Sequence, residues 1–425
     1  MNQSVTASSR AGGPDERRPG SAQATILLVG STLPILGAIL IAPVLPQLQA
    51  AFATTPGVEI LAPVALSIPS LAVGLLAIVA GRIVDRVGRR RLLIGALPLY
   101  VVAGTAPLYL TSLGAIVASR AVIGIAEAAI MTCCVTLIGD YWEGHRRERY
   151  LSLQIVVTSF SAVVFLVLGG VLGAQGWRTP FWAYLSGIAF LPLVLLFLWQ
   201  PAAPRAAADD TGGSLAAVPW RALSPLLALT FLGAIVFYGL QVELSFVLDG
   251  LGVGTAGIGL TAALANLAVM LTAGVFARLG HDHAPTAIAA GFALGGAGLV
   301  VIALAGTPTG VGAGAVVAGL GGGLLLASRL VATTSRLPYS GRGRATGAWT
   351  SSFFLGQFAC PVLVVALSAA TGTLNSALVV LGVLGLVTAA VVAVLRRRVS
   401  PPLEVAGTGT LTSAPQSTTP VTEEA

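Results

Sequence analysis

Apolar runs long enough to cross a bilayer alternate along this chain with short polar breaks. Six of them cover about 24–46, 61–80, 92–110, 113–137, 151–174 and 180–199, and six more cover about 223–247, 256–278, 286–306, 309–332, 346–369 and 374–395. Roughly 20 apolar residues in a helix match a hydrocarbon core of about 30 Å, so each run predicts one membrane-spanning helix. The widest break is Gln200–Trp220, where Pro201, Pro204, Asp209, Asp210, Gly212 and Gly213 predict a linker. The expected fold is an all-α integral membrane protein. Its parts are a polar, disordered tail over 1–22, a six-helix half over 23–199, a linker over 200–222, a second six-helix half over 223–397 and a Thr-, Pro- and Ser-rich tail over 398–425.

Composition agrees, with 56% hydrophobic and 9% charged residues and a mean hydropathy of +0.91, against about 25% charged in an ordinary soluble domain. The net charge of +7 comes from arginine alone, since the chain has no lysine. Those arginines could mark a nucleic-acid surface or a membrane topology, and their positions decide. Arg82 to Arg91, Arg146, Arg147, Arg149, Arg205, Arg221, Arg278, Arg336, Arg342, Arg344 and Arg396 to Arg398 all fall in breaks on one side of a twelve-span topology, and only Arg178 falls in a break on the other. Cationic residues collect in cytoplasmic loops, so both termini are expected in the cytoplasm and no nucleic-acid partner is expected. The first run is longer than a signal core and lacks a small-residue cleavage site, which predicts an uncleaved first helix. Cys133, Cys134 and Cys360 lie in apolar runs without metal-ligand spacing and are expected to be small, unpaired core residues.

One break carries a specific pattern, Gly81-x-x-x-Asp85-Arg86-x-Gly88-Arg89-Arg90-Arg91. Gly81 allows a close backbone approach, Gly88 a turn with positive φ, and the arginines anchor the loop on the cytoplasmic side. An arginine-rich topogenic loop would need neither the glycines nor the aspartate. The pattern resembles the signature loop between helices 2 and 3 of the major facilitator superfamily of secondary transporters. The resemblance implies two pseudo-symmetric six-helix halves, with Asp85 contacting the amino end of helix 11 to hold a cytoplasmic gate shut, an anion facing a positive helix terminus. Two short matches six helices apart fit such a duplication. Arg147-Glu-Arg149-Tyr-Leu-Ser152 enters helix 5 as Arg342-Gly-Arg344-Ala-Thr-Gly347 enters helix 11, and Arg278-Leu279-Gly280 after helix 8 is a faded copy of the loop pattern with Ala277 in place of the aspartate.

Helix 4 holds Arg120 and Glu127, with Gly124 between them, and resembles the second motif of the same family. A charged side chain at the centre of a span costs on the order of 2.5 to 3.5 kcal/mol, so neither should face lipid. Seven residues place the two on nearly one face, about 10.5 Å apart along the axis, too far for direct pairing unless both side chains bend. Either Glu127 binds a proton or a cationic solute and Arg120 tunes it, or both are buried polar links between helices. Tyr238, Gln241 and Glu243 on helix 7 and Gln357 on helix 11 complete the candidate cavity. Glu243 lies toward a helix end, where a water-exposed rim position is the competing expectation. Asp249 is expected in a loop, and Arg329 is expected to extend to the headgroups. His145, His281 and His283 have no ligand spacing, so no metal is expected.

Gly169 and Gly170 near the end of helix 5 resemble the family's fifth helix. The antiporter subgroup carries a Gly-Pro pair where this chain has Phe165-Leu166, and an earlier glycine where it has Ser161. Ala42-Pro43-Val-Leu45-Pro46 and the Gly356 to Pro361 stretch predict helix bends. The glycines from Gly310 to Gly323 lack a Gly-Lys-Ser/Thr ending and predict close helix packing, not a phosphate loop. The resemblance implies a secondary transporter of the inner membrane, not an enzyme, driven by a proton gradient without a cofactor and acting as a monomer among membrane lipids. Few ionisable groups lie in the predicted cavity, which favours amphipathic drug-like or siderophore-like solutes and proton-coupled efflux. Uptake of a small organic acid with Arg120 as anion anchor, and a non-transporting sensor on the same fold, are the alternatives.

Overall fold

A computed structural model describes residues 19–77, 79–200, 220–279, 283–334 and 339–399, with side chains described for these except 81, 82, 85, 334, 339–343 and 396–399. Most of both tails and of the linker lie outside the described residues, as do His281 and Arg336. Twelve described helices are long and apolar enough to cross a membrane. In the first half they are α1 (Ser21–Ala51), α2 (Val58–Leu76), α3 (Arg89–Leu108), α4 (Leu113–Tyr141), α5 (Gly144–Gly173) and α6 (Thr179–Phe197). In the second they are α7 (Trp220–Gly250), α8 (Thr255–Leu279), α9 (Ala284–Leu304), α10 (Pro308–Thr333), α11 (Arg344–Thr371) and α12 (Leu374–Leu395). A helix satisfies its own backbone groups where no water can, which is why every span takes this form.

Each half packs mainly within itself, α2 and α3 on α4 in the first, α9 on α10 and α12 in the second. The halves meet along α2 with α11 and α5 with α8, and α1 also touches α7 and α8. Val380, Val383, Leu384, Val387, Val391 and Val394 of α12 are exposed at helical spacing and form a lipid-facing stripe. Cys133, Cys134 and Cys360 are buried free thiols.

Three helices show how local sequence shapes the bundle. The first span is broken into Ser21–Gly30, Leu33–Ile39, a 3-10 turn at Ala42–Val44 and Leu45–Ala51. Pro34, Pro43 and Pro46 remove N–H donors at those joints, so the predicted bend is realised as two interruptions. On α10 the glycines let backbones touch. A methyl group at Gly298 of α9 would overlap the Ala318 nitrogen, and one at Gly321 would lie 2.6 Å from the Gly291 carbonyl. On α7 the helix continues to Gly250, so Asp249 sits in its last turn and not in a loop, the chain turning only at Gly252 with φ of 77°.

The break carrying the arginine motif also differs from expectation. Residues Ala80–Val87 form a short helix, and Gly88 alone makes the turn into α3, at φ 90° and ψ 136°. A positive φ strains any residue with a Cβ, which explains the glycine.

Candidate functional site

Arg120 is fully buried and donates to three acceptors on three other helices. Its Nε reaches the Ala65 carbonyl at 3.2 Å, Nη1 the Tyr184 hydroxyl at 2.6 Å, and Nη2 the Gly37 carbonyl. Pro69 has no N–H to give the Ala65 carbonyl four residues back, so the guanidinium takes the place of the missing helical donor. One turn further along α4, a methyl group on Gly124 would lie 2.6 Å from both Cα and O of Pro69. Arginine and then glycine at this spacing are what a proline-containing partner helix requires.

Glu127 closes on the same point from the other side. Its carboxylate packs against Gly37, where a side chain would overlap Oε1. Among the described side chains no ion pair joins it to Arg120, and Oε1, buried, has no hydrogen-bond partner. Tyr100 flanks the group, donating to the Leu33 carbonyl at 2.8 Å with its ring 5.3 Å from that of Tyr184. Gly37, Tyr100 and Tyr184 escape sequence reasoning because nothing in an apolar run marks which turn faces a neighbour. Pro69 is a visible signal, since an internal proline always orphans a carbonyl.

The second half supplies the other candidates. Glu243 is 4% exposed and its Oε1 is unpartnered. The rim position is therefore corrected: α7 is buried on all sides from Gly239 to Ser245, so no face there is left for water. Gln241 exchanges hydrogen bonds of 3.3 Å with Asn266 of α8. Tyr238 donates to the Leu66 carbonyl at 3.4 Å, and Gln357 accepts from Ser70 at 3.0 Å, both across the halves. Arg329 does not extend to the headgroups. It is fully buried, donating through Nε to the Leu325 carbonyl at 2.7 Å and through Nη1 to the carbonyls of Leu229 and Thr230 at 2.8 and 3.0 Å. Gly233 makes room for it, since a side chain there would overlap Nη1.

The gating motif is tied into its own half. Arg89 pairs with Asp140 at the end of α4 at 2.9 Å. Arg90 donates to the Leu198 and Leu195 carbonyls at 2.7 and 2.8 Å, a cation at the carboxyl end of α6. Gln200 accepts from the Arg90 nitrogen at 3.1 Å beside Gly88. Arg86 is exposed. Gly81 falls in the short helix and the side chain of Asp85 lies outside those described, while at the start of α11 Gly347 packs toward the Ala77 carbonyl, and Ser351 donates to the Gly74 carbonyl at 2.7 Å. Gly169 and Gly170 divide their work. Gly169 abuts the Leu40 carbonyl of α1 in its own half, and Gly170 faces Thr255 and Gly259 of α8 in the other.

A model of the Major Facilitator Superfamily matches residues 27–338 and 226–422. The chain is 32% identical over 149 residues to "Protein spinster homolog 3" of Danio rerio, covering 33% of this chain and 29% of that protein. It is 30% identical over 131 residues to "Multidrug resistance protein MdtL" of Escherichia coli strain K12, covering 30% and 34%. It is 30% identical over 174 residues to a "Chloramphenicol resistance protein" of Streptomyces lividans, covering 40% and 44%. These matches span less than half the length of each relative. Among solved structures, the bacterial homologue of the human lysosomal transporter Spinster, inward-facing and occupied, superposes with a TM-score of 0.70 at 16% identity, over 89% of this chain and 97% of that one. A POT family transporter in complex with 5-aminolevulinic acid gives 0.70 at 13%, over 89% and 96%. With a family model covering nearly all of its length and this architecture, the chain belongs to the Major Facilitator Superfamily and is a multi-pass integral membrane protein.

Proposed function

We propose that the chain exports amphipathic, drug-like or siderophore-like solutes from the cytoplasm in exchange for protons, acting as a monomer in the inner membrane with both termini cytoplasmic. Glu127 carries the coupling proton and Arg120 holds the helices that frame it. The observation that carries this proposal is the bare Oε1 of Glu127, buried against Gly37 while the neighbouring guanidinium is engaged elsewhere. An ionisable group retained inside a span at such cost marks a pathway or a proton relay more often than a structural link. The resistance proteins among the relatives support export, and the one-sided arginines support the orientation.

Uptake of an organic acid on Arg120 is the weaker account, because Nε, Nη1 and Nη2 are all occupied by protein acceptors. The test is a vesicle assay. In proteoliposomes with an acidic lumen and the arginine-rich end outward, ethidium added outside should accumulate and the luminal pH should rise. Accumulation without proton release, or only in the opposite orientation, contradicts the proposal.

A further inference from the structure

We propose that the cleft between α9 and α12 at the arginine-rich end of the bundle is a binding site for one anionic phospholipid, with an acyl chain in the cleft and the headgroup held by Arg396 to Arg398. The site lies on the outside of the second half and does not depend on the export proposal.

The cleft begins where the glycines stop. Near mid-span the two antiparallel helices meet backbone to backbone. A methyl group on Gly296 would lie 2.5 Å from the Gly382 carbonyl, and one on Gly382 2.7 Å from the Gly296 carbonyl. Past that crossing the facing edges carry Ala289, Ala290 and Ala293 on α9 and Ala389, Ala390 and Ala393 on α12, and a cleft of about 440 Å³ remains between them. It runs from Ala293 back to Pro285, about 12 Å of helix rise and most of the roughly 15 Å depth of one leaflet. Leu386, Ala390 and Ala393 of its lining are exposed, so the cleft opens outward beside the lipid-facing stripe of α12. Methyl groups around an empty groove forgo contacts on one side, and the surrounding material able to restore them is an acyl chain.

Polarity is graded along this cleft. Its deep part is lined by apolar side chains, and Thr286 places an exposed hydroxyl at its mouth. The α12 helix then continues past its apolar span to Val399, carrying Arg396, Arg397 and Arg398 on its last turn. Arg397 follows Leu386, Ala390 and Ala393 at spacings of four, three and four, and so falls on the helix stripe that lines the cleft. Methyl groups, a hydroxyl and then cations match the tail, ester and phosphate of an anionic lipid in that order. A second copy of this chain docked symmetrically on the same face would instead set arginines against arginines. A lipid that merely fills the annulus would bind without regard to its headgroup.

The test is native mass spectrometry of the purified, delipidated full chain in detergent, titrated with phosphatidylglycerol or with phosphatidylcholine of identical acyl chains. The parent should take up its first phosphatidylglycerol about tenfold more tightly than phosphatidylcholine. Ala390→Phe fills the cleft and should abolish that tight event. Replacing Arg396, Arg397 and Arg398 together by glutamine should bring phosphatidylglycerol to the level of phosphatidylcholine, and decides the question if Ala390→Phe does not fold, since these positions stand past the apolar span. Replacing Arg146, Arg147 and Arg149, exposed in the first turns of α5, should leave the preference intact. Equal affinity of the parent for the two lipids, equal loss of preference in both arginine variants, or a parent dimer that Ala390→Phe dissociates overturns the inference.

Discussion

The Nε of Arg120 donates at 3.2 Å to the carbonyl of Ala65, which Pro69 leaves without its helical donor. An arginine on α4 therefore completes the backbone of α2, and the two residue types depend on each other. Arg120→Leu strands the Ala65 carbonyl, at about 1 to 3 kcal/mol for a buried group left unpaired, and leaves the Gly37 carbonyl and the Tyr184 hydroxyl only their mutual hydrogen bond of 3.4 Å. In a Pro69→Ala background position 69 regains an N–H, so the same substitution should cost about 1 kcal/mol less. Thermal unfolding of the four proteins in detergent measures the cycle. Strict additivity would mean that the guanidinium does not serve the orphaned carbonyl.

Adjacent glycines on α5 should fail differently. A methyl on Gly169 meets the Leu40 carbonyl within the first half, so Gly169→Ala should lower the unfolding temperature by several degrees. A methyl on Gly170 would lie 2.6 Å from the Thr255 carbonyl across the seam, so Gly170→Ala should hold the halves apart at that end. Each half would remain folded while transport falls at least tenfold. Labelling of a cysteine introduced near Thr255 reads the opening, since Cys133, Cys134 and Cys360 are buried. Equal losses of stability in both variants would contradict the division.

The guanidinium of Arg329 occupies space that only glycine at 233 leaves free. Gly233→Ala should destabilise the protein by about 1 to 3 kcal/mol through overpacking. In an Arg329→Met background, which removes the clashing group, the penalty should fall by about half or more. Denaturation midpoints check this, and an undiminished penalty would show that another neighbour opposes the methyl.

At the motif, Arg89 and Asp140 are 2.9 Å apart with side chains 14% and 20% exposed. The pairing atoms themselves, Arg89 Nε and Asp140 Oδ2, are buried, so removing the carboxylate leaves the guanidinium short of this partner at a cost of about 1 to 3 kcal/mol. Asp140→Asn should therefore lower stability by that much while leaving the chain folded, and slow transport by loosening α3 from α4. Asp85→Asn should likewise leave the chain folded and inserted but slow its cycle. Transport rates in vesicles, normalised to inserted protein, decide both, and unchanged rates would remove the motif from gating.

The spans are legible in the sequence because a bilayer demands long apolar runs whatever their neighbours. Their ends are less so: α4 runs on to Tyr141 and α5 begins at Gly144, because helices continue into the polar headgroup layer where hydropathy no longer reports them. Arg120 and Glu127 stand out as charges in an apolar run, and so does the arginine motif. What the sequence hides is direction. These helices are apolar all round, so no stripe indicates that Arg329 turns toward α7 or that Glu243 is enclosed. Ser70 looks like an ordinary residue of an apolar span, and only the seam between the halves gives it a partner, Gln357.

Proton movement by Glu127→Gln is the most direct measurement of the central claim. In proteoliposomes with a luminal pH dye, the parent should move protons when solute is added. The variant, with the same shape but no titratable proton on the side chain, should still exchange labelled solute across the membrane while the dye stays silent. A Glu127→Gln protein that continues to move protons with its solute would contradict the assignment of that carboxyl as the proton carrier.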